Sequence, residues 1–401
     1  MAQFRTEVRD FVADLVPPGW SGLGALDLPG RAAFTARARA ALAERGWLAP
    51  TWPREYGGGG LGAAEQIALG QELGRAGVPT GGEADAFGIS MLGNTLLRCG
   101  PTELCARFLP RILSGEYVFC QGFSEPGAGS DLAALSTRAV LREDGWVIDG
   151  QKLWSSSAHL ADWMFVLVRT DPQGSPYRGM SLLLVPLDQP GVEIRPIRNI
   201  TGETHFNEVF FTGARTAADL VVGGVGRGWQ VAMTLLGFER GDTYTLMPVK
   251  LRDELDRLVD AILARGLQDD PGIRRRLAWC HVRVEELRCH SLRLATRLVA
   301  GEEPGPEAAV VKLLTSEYHR EATELAMDVV GQDALAPEGT ASPNWFYTDD
   351  AGAPDTSASW TSVYLNARAA TVYGGSSQVQ RGIIGDLLLG LPKEPRARAT
   401  G

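Results

Sequence analysis

Histidine and cysteine are both scarce in this chain, five of each among 401 residues. The cysteines (Cys99, Cys105, Cys120, Cys280 and Cys289) form no CxxC pair, and the histidines form no HExxH-type cluster. Those spacings exclude the common zinc frames and argue against a catalytic metal. An odd set of scattered thiols fits a reducing compartment, so a cytoplasmic setting is expected. Positive charge is also in short supply. Acidic residues number 48 against 39 basic ones, for a formal charge of −9. A nucleic-acid partner usually requires a basic face, so none is expected. Long apolar runs are missing: stretches such as MSLLLVPL are far too short to span a bilayer. The opening MAQFRTEVRDFVADLV carries acids among its apolar positions and does not read as a signal peptide. No strand runs into a GxGxxG turn, so a Rossmann dinucleotide site is not supported.

What is present is ordinary globular material, 44% apolar and 22% charged, in a chain too long for one small core. Residues 1–118 read as helical. AAFTARARAALAERGWL has helical spacing and stops at Gly46, with Pro50 and Pro53 following. LGAAEQIALGQELGRAG and TELCARFLPRILSGE repeat that pattern. Over 119–225 the texture turns extended. STRAVLREDGWVIDGQKLW holds two runs about Asp144-Gly145, a hairpin signal. DWMFVLVRT, GMSLLLVPL, VEIRPIRNI and NEVFFTGAR follow at strand length. Across 226–401 helical spacing returns in GWQVAMTLLGFERG, VKLRDELDRLVDAILARG, DPGIRRRLAWCHVRVEELRCHSLRLATRLVAG and EAAVVKLLTSEYHREATELAMDVVG. Four amphipathic segments suit a four-helix bundle. APEGTASPNWFYTDDAGAPDTSASW reads as a long loop before one more helix. The fold class is therefore α+β and multidomain, in the order helical, β, helical.

Three stretches carry the chemistry. CQGFSEPGAGSDLAALSTRA, from Cys120 to Ala139, combines Gly127 and Gly129, which allow close backbone approach, with Ser124, Ser130 and Asp131. GQKLWSSSAHLADW sets Trp154 beside three serines, so a ring could stack on a planar ligand while a hydroxyl bonds its edge. AATVYGGSSQVQRGI, from Ala369 to Ile383, is a polar glycine turn with neither acid nor histidine. Composition alone also fits an ordinary surface loop for the first, and a core tryptophan at a strand end for the second.

Together with PREYGG (Pro53 to Gly58), RNITGETHFNEVFF (Arg198 to Phe211) and the closing YGGSSQVQRGIIGDLLLGLP, these segments resemble the acyl-CoA dehydrogenase family, in that family's order and over almost the whole chain. The resemblance implies an N-terminal helical domain, a middle β-barrel and a C-terminal four-helix bundle, with FAD between the last two. By position, Gln121, Phe123, Ser124, Gly129, Ser130, Trp154, Ser156, Ser376 and Gln378 would bind FAD. Trp154 would pack on the flavin ring, Ser156 would bond near its N5, and Ser376 with Gln378 would reach the adenosine end. Ser130, Arg240, Tyr373 and Gly374 would meet the substrate. The implied reaction oxidises an acyl thioester, on CoA or an acyl carrier protein, to its 2-enoyl form, with electrons passing to an electron-transferring flavoprotein or similar acceptor.

Many members take the catalytic base from a Glu directly after the Tyr of the closing motif, where this chain has Gly374. A subset takes it from the first bundle helix, and the matching residue here is Glu239, in TLLGFERGDT. Helical spacing sets Leu235 and Leu236 on the same face as Glu239, an apolar stripe of the kind that makes a carboxylate a better proton acceptor. Asp242 is the fallback. Losing the acid at Gly374 opens room for a bulky or branched acyl group. An ordinary substrate with a migrated base fits as well. The chain lacks the family's Arg-x-x-Phe-Gly motif, reading MPVKLRDELDRLVDAI there, and alters the later Gln-x-x-Gly-Gly around Gly331. Such departures resemble members that assemble from unlike chains, so a homo- or hetero-oligomer is expected. A half-site partner subunit and a flavin oxidase or monooxygenase stand as alternative functions.

Overall fold

A computed structural model describes the chain except residues 83, 303–304, 342–349 and 393–401 and the side chains of 239–245. It divides into two compact units, Met1–Thr243 and Tyr244–Gly401.

The first unit opens with helices α1 (Ala2–Leu15), α2 (Leu28–Glu44), α3 (Ala63–Arg75), α4 (Asn94–Cys99) and α5 (Thr102–Ser114). Local chemistry fixes their ends. The Asp27 carboxylate accepts the Gly30 N–H at 2.8 Å and caps α2, whose first turn holds Pro29. Gly115, at φ 80°, closes α5 in the left-handed conformation that glycine tolerates best. Leu104, Phe108, Leu109 and Ile112 bury one face of α5.

Strands β1 (Phe119–Gly122), β2 (Arg138–Arg142), β3 (Gly145–Ser156), β4 (Trp163–Arg169), β5 (Met180–Pro186), β6 (Val192–Ile197), β7 (Phe206–Thr216) and β8 (Val221–Val222) follow. They form one sheet in the order β6-β7-β3-β2-β4-β5-β8, with β1 pairing parallel to β4. The predicted hairpin is β2–β3, with Arg142 opposite Gly145. β4 is buried on both faces, and its side chains alternate between two cores. Phe165 and Leu167 join Phe108 and Leu109 of α5; Met164, Val166 and Val168 join Trp146, Ile148 and Phe211. The helices thus brace the sheet from one side, and a second core fills the other.

Helix α6 (Gly228–Ala264) spans the division between the units. The sequence reading separated it into two segments, and here the structure corrects it: GWQVAMTLLGFERG and VKLRDELDRLVDAILARG are one helix with Pro248 inside. A proline in a helix interior costs about 3 kcal/mol. Burial of the flanking Met247 and Leu251 offsets that cost. The second unit continues with α7 (Pro271–Val299), α8 (Ala308–Val330), α9 (Ser357–Ala370) and α10 (Ser377–Ile383). Asp270 caps α7 by accepting the Gly272 and Ile273 N–H groups at 2.8 and 2.9 Å. Leu251, Leu255, Val284, Leu287, Tyr318, Leu325 and Trp360 give α6, α7, α8 and α9 a common core.

Candidate active site

In the first unit the site is built where the glycine-rich loop after β1 meets the end of β3. The Leu153 N–H donates to the Ser124 carbonyl at 2.9 Å and ties the two segments together. Beneath them the fully buried Lys152 ammonium donates to the Phe123 carbonyl at 3.1 Å and to Glu125 Oε1 at 2.8 Å. Glu125 gathers the far end of the loop. Its carboxylate accepts the Ser136 N–H and hydroxyl, each at 2.7 Å, and the Thr137 N–H at 2.9 Å. Burial alone would raise the Glu125 carboxyl; the Lys152 charge and these hydrogen bonds outweigh it and hold its pKa below the ordinary carboxylate range. Burial lowers the Lys152 ammonium more than the Glu125 charge raises it.

Pairing of β3 with β7 slips between Lys152 and Ser155, so Leu153 and Trp154 oppose the single residue Glu208. This is a β-bulge, and it carries Trp154 at φ 62°, a conformation unfavourable for a bulky residue. The indole is left 55% exposed, braced edge-on by Phe206 at 5.9 Å between ring centroids. Ser156, two residues further on, is buried. Ser157, also left-handed at φ 53°, has its hydroxyl 3.2 Å from His205 Nδ1, and Asn207 donates to the Ser155 and His205 carbonyls at 3.0 Å. The turn that presents Trp154 and Ser156 is therefore fixed from below by polar side chains of β7 and the residues before it.

In the second unit the Ala369–Ile383 stretch forms the turn between α9 and α10. Gly374 and Gly375 both have positive φ, 62° and 90°. A Cβ at Gly375 would lie 2.5 Å from Gln380 Nε2, so a side chain there would displace that amide and strain a backbone already at positive φ. Gln380 donates to the carbonyls of Gly374 and Gly375 at 3.0 and 3.2 Å, and Lys312 of α8 donates to those of Ala370 and Gly375 at 2.8 and 2.7 Å. Ser376 is the N-cap of α10, accepting the Val379 N–H at 3.2 Å. The Gly374 N–H has no hydrogen-bond partner among the described residues, and Gln378 is exposed.

The structure thus brings Phe123, Ser124, Trp154 and Ser156 together on one corner of the first unit. Gln121 lies in β1 opposite Phe165, and Gly129 and Ser130 stand exposed on the loop. Tyr373, Gly374, Ser376 and Gln378 share the turn of the second unit. Glu239, Arg240 and Asp242 belong to α6, and their side chains lie outside the described residues. Sequence reasoning missed Glu125, Lys152 and Lys312. The first two stand inside SEP and GQK, yet their pairing joins positions 27 residues apart and leaves no local sign. Lys312 reaches its turn across 58 residues and more.

Comparison with known proteins identifies the family behind this domain order. Three family models match in sequence: acyl-CoA dehydrogenase N-terminal domain over residues 1–116, middle domain over 120–214 and C-terminal domain over 226–389. Acyl-CoA dehydrogenase IpdE1 of Mycobacterium tuberculosis is 44% identical over 98% of both chains. Among solved structures, the Tcur3481–Tcur3483 steroid ACAD is similar with a TM-score of 0.80 at 30% identity, covering 98% of both chains. The ChsE4–ChsE5 complex from Mycobacterium tuberculosis is similar with a TM-score of 0.76, also at 30% identity over 98% of both chains. Domain order, loop chemistry and whole-length similarity agree: the chain belongs to the acyl-CoA dehydrogenase family, FAD-dependent oxidoreductases acting on CH–CH bonds.

Proposed function

We propose that this chain desaturates a bulky, ring-bearing or branched acyl thioester between its α and β carbons, with Glu239 as the base. The observation that carries the reading is Gly374. Where many relatives place a catalytic Glu, this chain has an exposed glycine at φ 62° whose N–H has no partner among the described residues. That position offers no proton acceptor but does offer a donor and space. The similarity to a steroid ACAD at 30% identity supports a bulky acyl group.

The first-unit corner fits a flavin. An indole held more than half exposed on a strained bulge gains by being covered with a planar ring, and Gly127 and Gly129 have open space on the side where a Cβ would stand. Bound FAD supplies the acceptor for the hydride that leaves the β-carbon. Trp154 and Ser156 would hold the flavin ring, with Gln121, Phe123, Ser124, Gly129 and Ser130 lining the loop on the same unit; Ser376 and Gln378 would be the second unit's residues for the adenosine end. Glu239 takes the α-proton onto its carboxylate. The Gly374 N–H donates to the thioester oxygen, stabilising the charge that develops there. Ser130, Arg240 and Tyr373 position the thioester-bearing arm. Electrons leave for an electron-transferring flavoprotein or similar acceptor. The names of two similar structures each join two chains, which supports assembly with an unlike chain of the same family.

The test is anaerobic titration of the purified flavoprotein with acyl-CoAs. Flavin absorbance should bleach with a steroid-type or α-methyl acyl-CoA and respond weakly to a straight chain. A clear straight-chain preference refutes the bulky-substrate reading. Glu239→Gln should keep the flavin and lose about 10²–10⁴-fold in turnover; near-normal turnover refutes the base.

A further inference from the structure

The stretch RNITGETHFNEVFF carries part of the family resemblance, yet no residue assigned to flavin or substrate comes from it. Its most deeply buried polar side chain is Asn207 of β7, which is fully buried and stands opposite Ser155 of β3, just past the bulge. Asparagine is a poor strand former, and its amide brings two donors and an acceptor that need partners when buried. The Asn207 Oδ1 has no partner among the described residues. Leaving a buried acceptor unpaired costs stability. An apolar side chain would fill the same place in the strand without that cost, so the use of the amide lies in its donors.

Those donors go to two carbonyls. Nδ2 donates to the Ser155 and His205 carbonyls, each at 3.0 Å, and His159 Nδ1 lies slightly farther off at 3.2 Å. A flipped amide would set its oxygen against both carbonyls, so these partners fix its orientation. The His205 carbonyl also accepts the Ser157 N–H at 2.9 Å. The contacts bracket Ser156. The Ser155 carbonyl belongs to the peptide plane before Ser156, and the Ser157 N–H belongs to the plane after it. Peptide units are rigid, so the two planes flanking a residue set its φ and ψ. One amide holds the first plane directly and the second through the His205 carbonyl. Trp154 and Ser157, on either side, both take positive φ, so regular strand geometry does not hold this turn by itself.

We infer that Asn207 is a positioning residue: its amide fixes the peptide planes around Ser156 and so sets the angle at which that serine meets the flavin edge. The inference rests on the reading that Ser156 bonds the flavin. Asn207 acts through the backbone of β3 and takes no part in proton or hydride transfer.

The experiment is a double-mutant cycle between Asn207→Leu and Ser156→Ala in the full-length chain. It is read by the affinity for FAD, from quenching of flavin fluorescence on rebinding, and by the reduction potential of the bound flavin. Asn207→Leu roughly keeps the side-chain volume and removes both donors. It should weaken FAD binding about three- to tenfold, the scale of one lost hydrogen bond, and move the potential in the same direction as Ser156→Ala. The double variant should match the larger single effect, because the amide then has no hydroxyl left to position. Circular dichroism of the flavin-free variants should be that of the parent. If Asn207→Leu does not fold, Asn207→Ser takes its place, since it keeps a polar group there but cannot reach both carbonyls. Additive effects would route the influence of Asn207 through Phe206 and Trp154 and overturn this inference alone. An Asn207 variant with the parent's affinity and potential would do the same. If Ser156→Ala leaves both readouts unchanged, the flavin contact itself is refuted and the inference falls with it.

Discussion

A buried ammonium group stays charged only where something nearby compensates for the water it has lost. Lys152 finds that compensation in one carboxylate and one carbonyl, and both belong to the loop that faces the flavin in the proposed reading. Removing one partner of such a pair leaves an uncompensated buried charge. Lys152→Met should therefore destabilise the first unit by about 3–5 kcal/mol, and Lys152→Met/Glu125→Leu should recover much of it. Denaturant unfolding measures both, and equal losses in the single and double variants would contradict the pairing. The pair also sets an acid limit. The folded Glu125 carboxyl is held at about 2, below its ordinary value of 4.5. The unfolded chain thus binds its proton first as pH falls. The contribution of Glu125 to stability is complete above about pH 4.5 and is lost on acidification toward pH 2. In Glu125→Gln that part of the acid dependence should vanish.

The turn between α9 and α10 shows how an element can hold a site without any side chain doing chemistry. Two left-handed glycines reverse the chain, Lys312 and Gln380 hold the freed carbonyls, and Ser376 starts the next helix. Ser376→Ala should cost about 1 kcal/mol through the lost cap, whereas Ser376→Asp, which can accept the same N–H, should keep it. Thermal unfolding of the two variants distinguishes them, and equal losses would show that the cap contributes nothing. Much at this scale was legible beforehand. The β2–β3 hairpin follows from an acid and a glycine between two alternating runs, and Gly145 indeed takes φ 123°. The β4 strand follows from WMFVLV, since a run apolar at every position is what burial on both faces selects. The bulge at Leu153 and Trp154 was not legible. It depends on the partner strand β7, more than fifty residues away, and a tryptophan gives no local reason to adopt positive φ. The continuity of α6 was hidden for a similar reason: Pro248 signals a break, and only tertiary burial of Met247 and Leu251 overrules it.

Over the whole molecule, the described hydrophobic residues sort into separate cores. One runs from Val8 through the α5–sheet interface to Leu235, a second fills the other face of the sheet, and the third begins at Met247 and ends at Trp360. None of these residues is shared between the two compact units. A unit with its own core can melt on its own. Trp360 gives a handle on the second unit. It is 1% exposed, its indole donates to Asp355 at 2.6 Å, and the Arg257 guanidinium lies 4.9 Å from its ring. Truncating a buried tryptophan costs about 3–5 kcal/mol. Calorimetry of the flavin-free chain should therefore resolve two transitions. Trp360→Ala should lower one of them, Lys152→Met the other, and the double variant both. If each variant moved the entire unfolding profile as one, the two units would share a single cooperative fold. Their separate cores would then say nothing about how the chain unfolds.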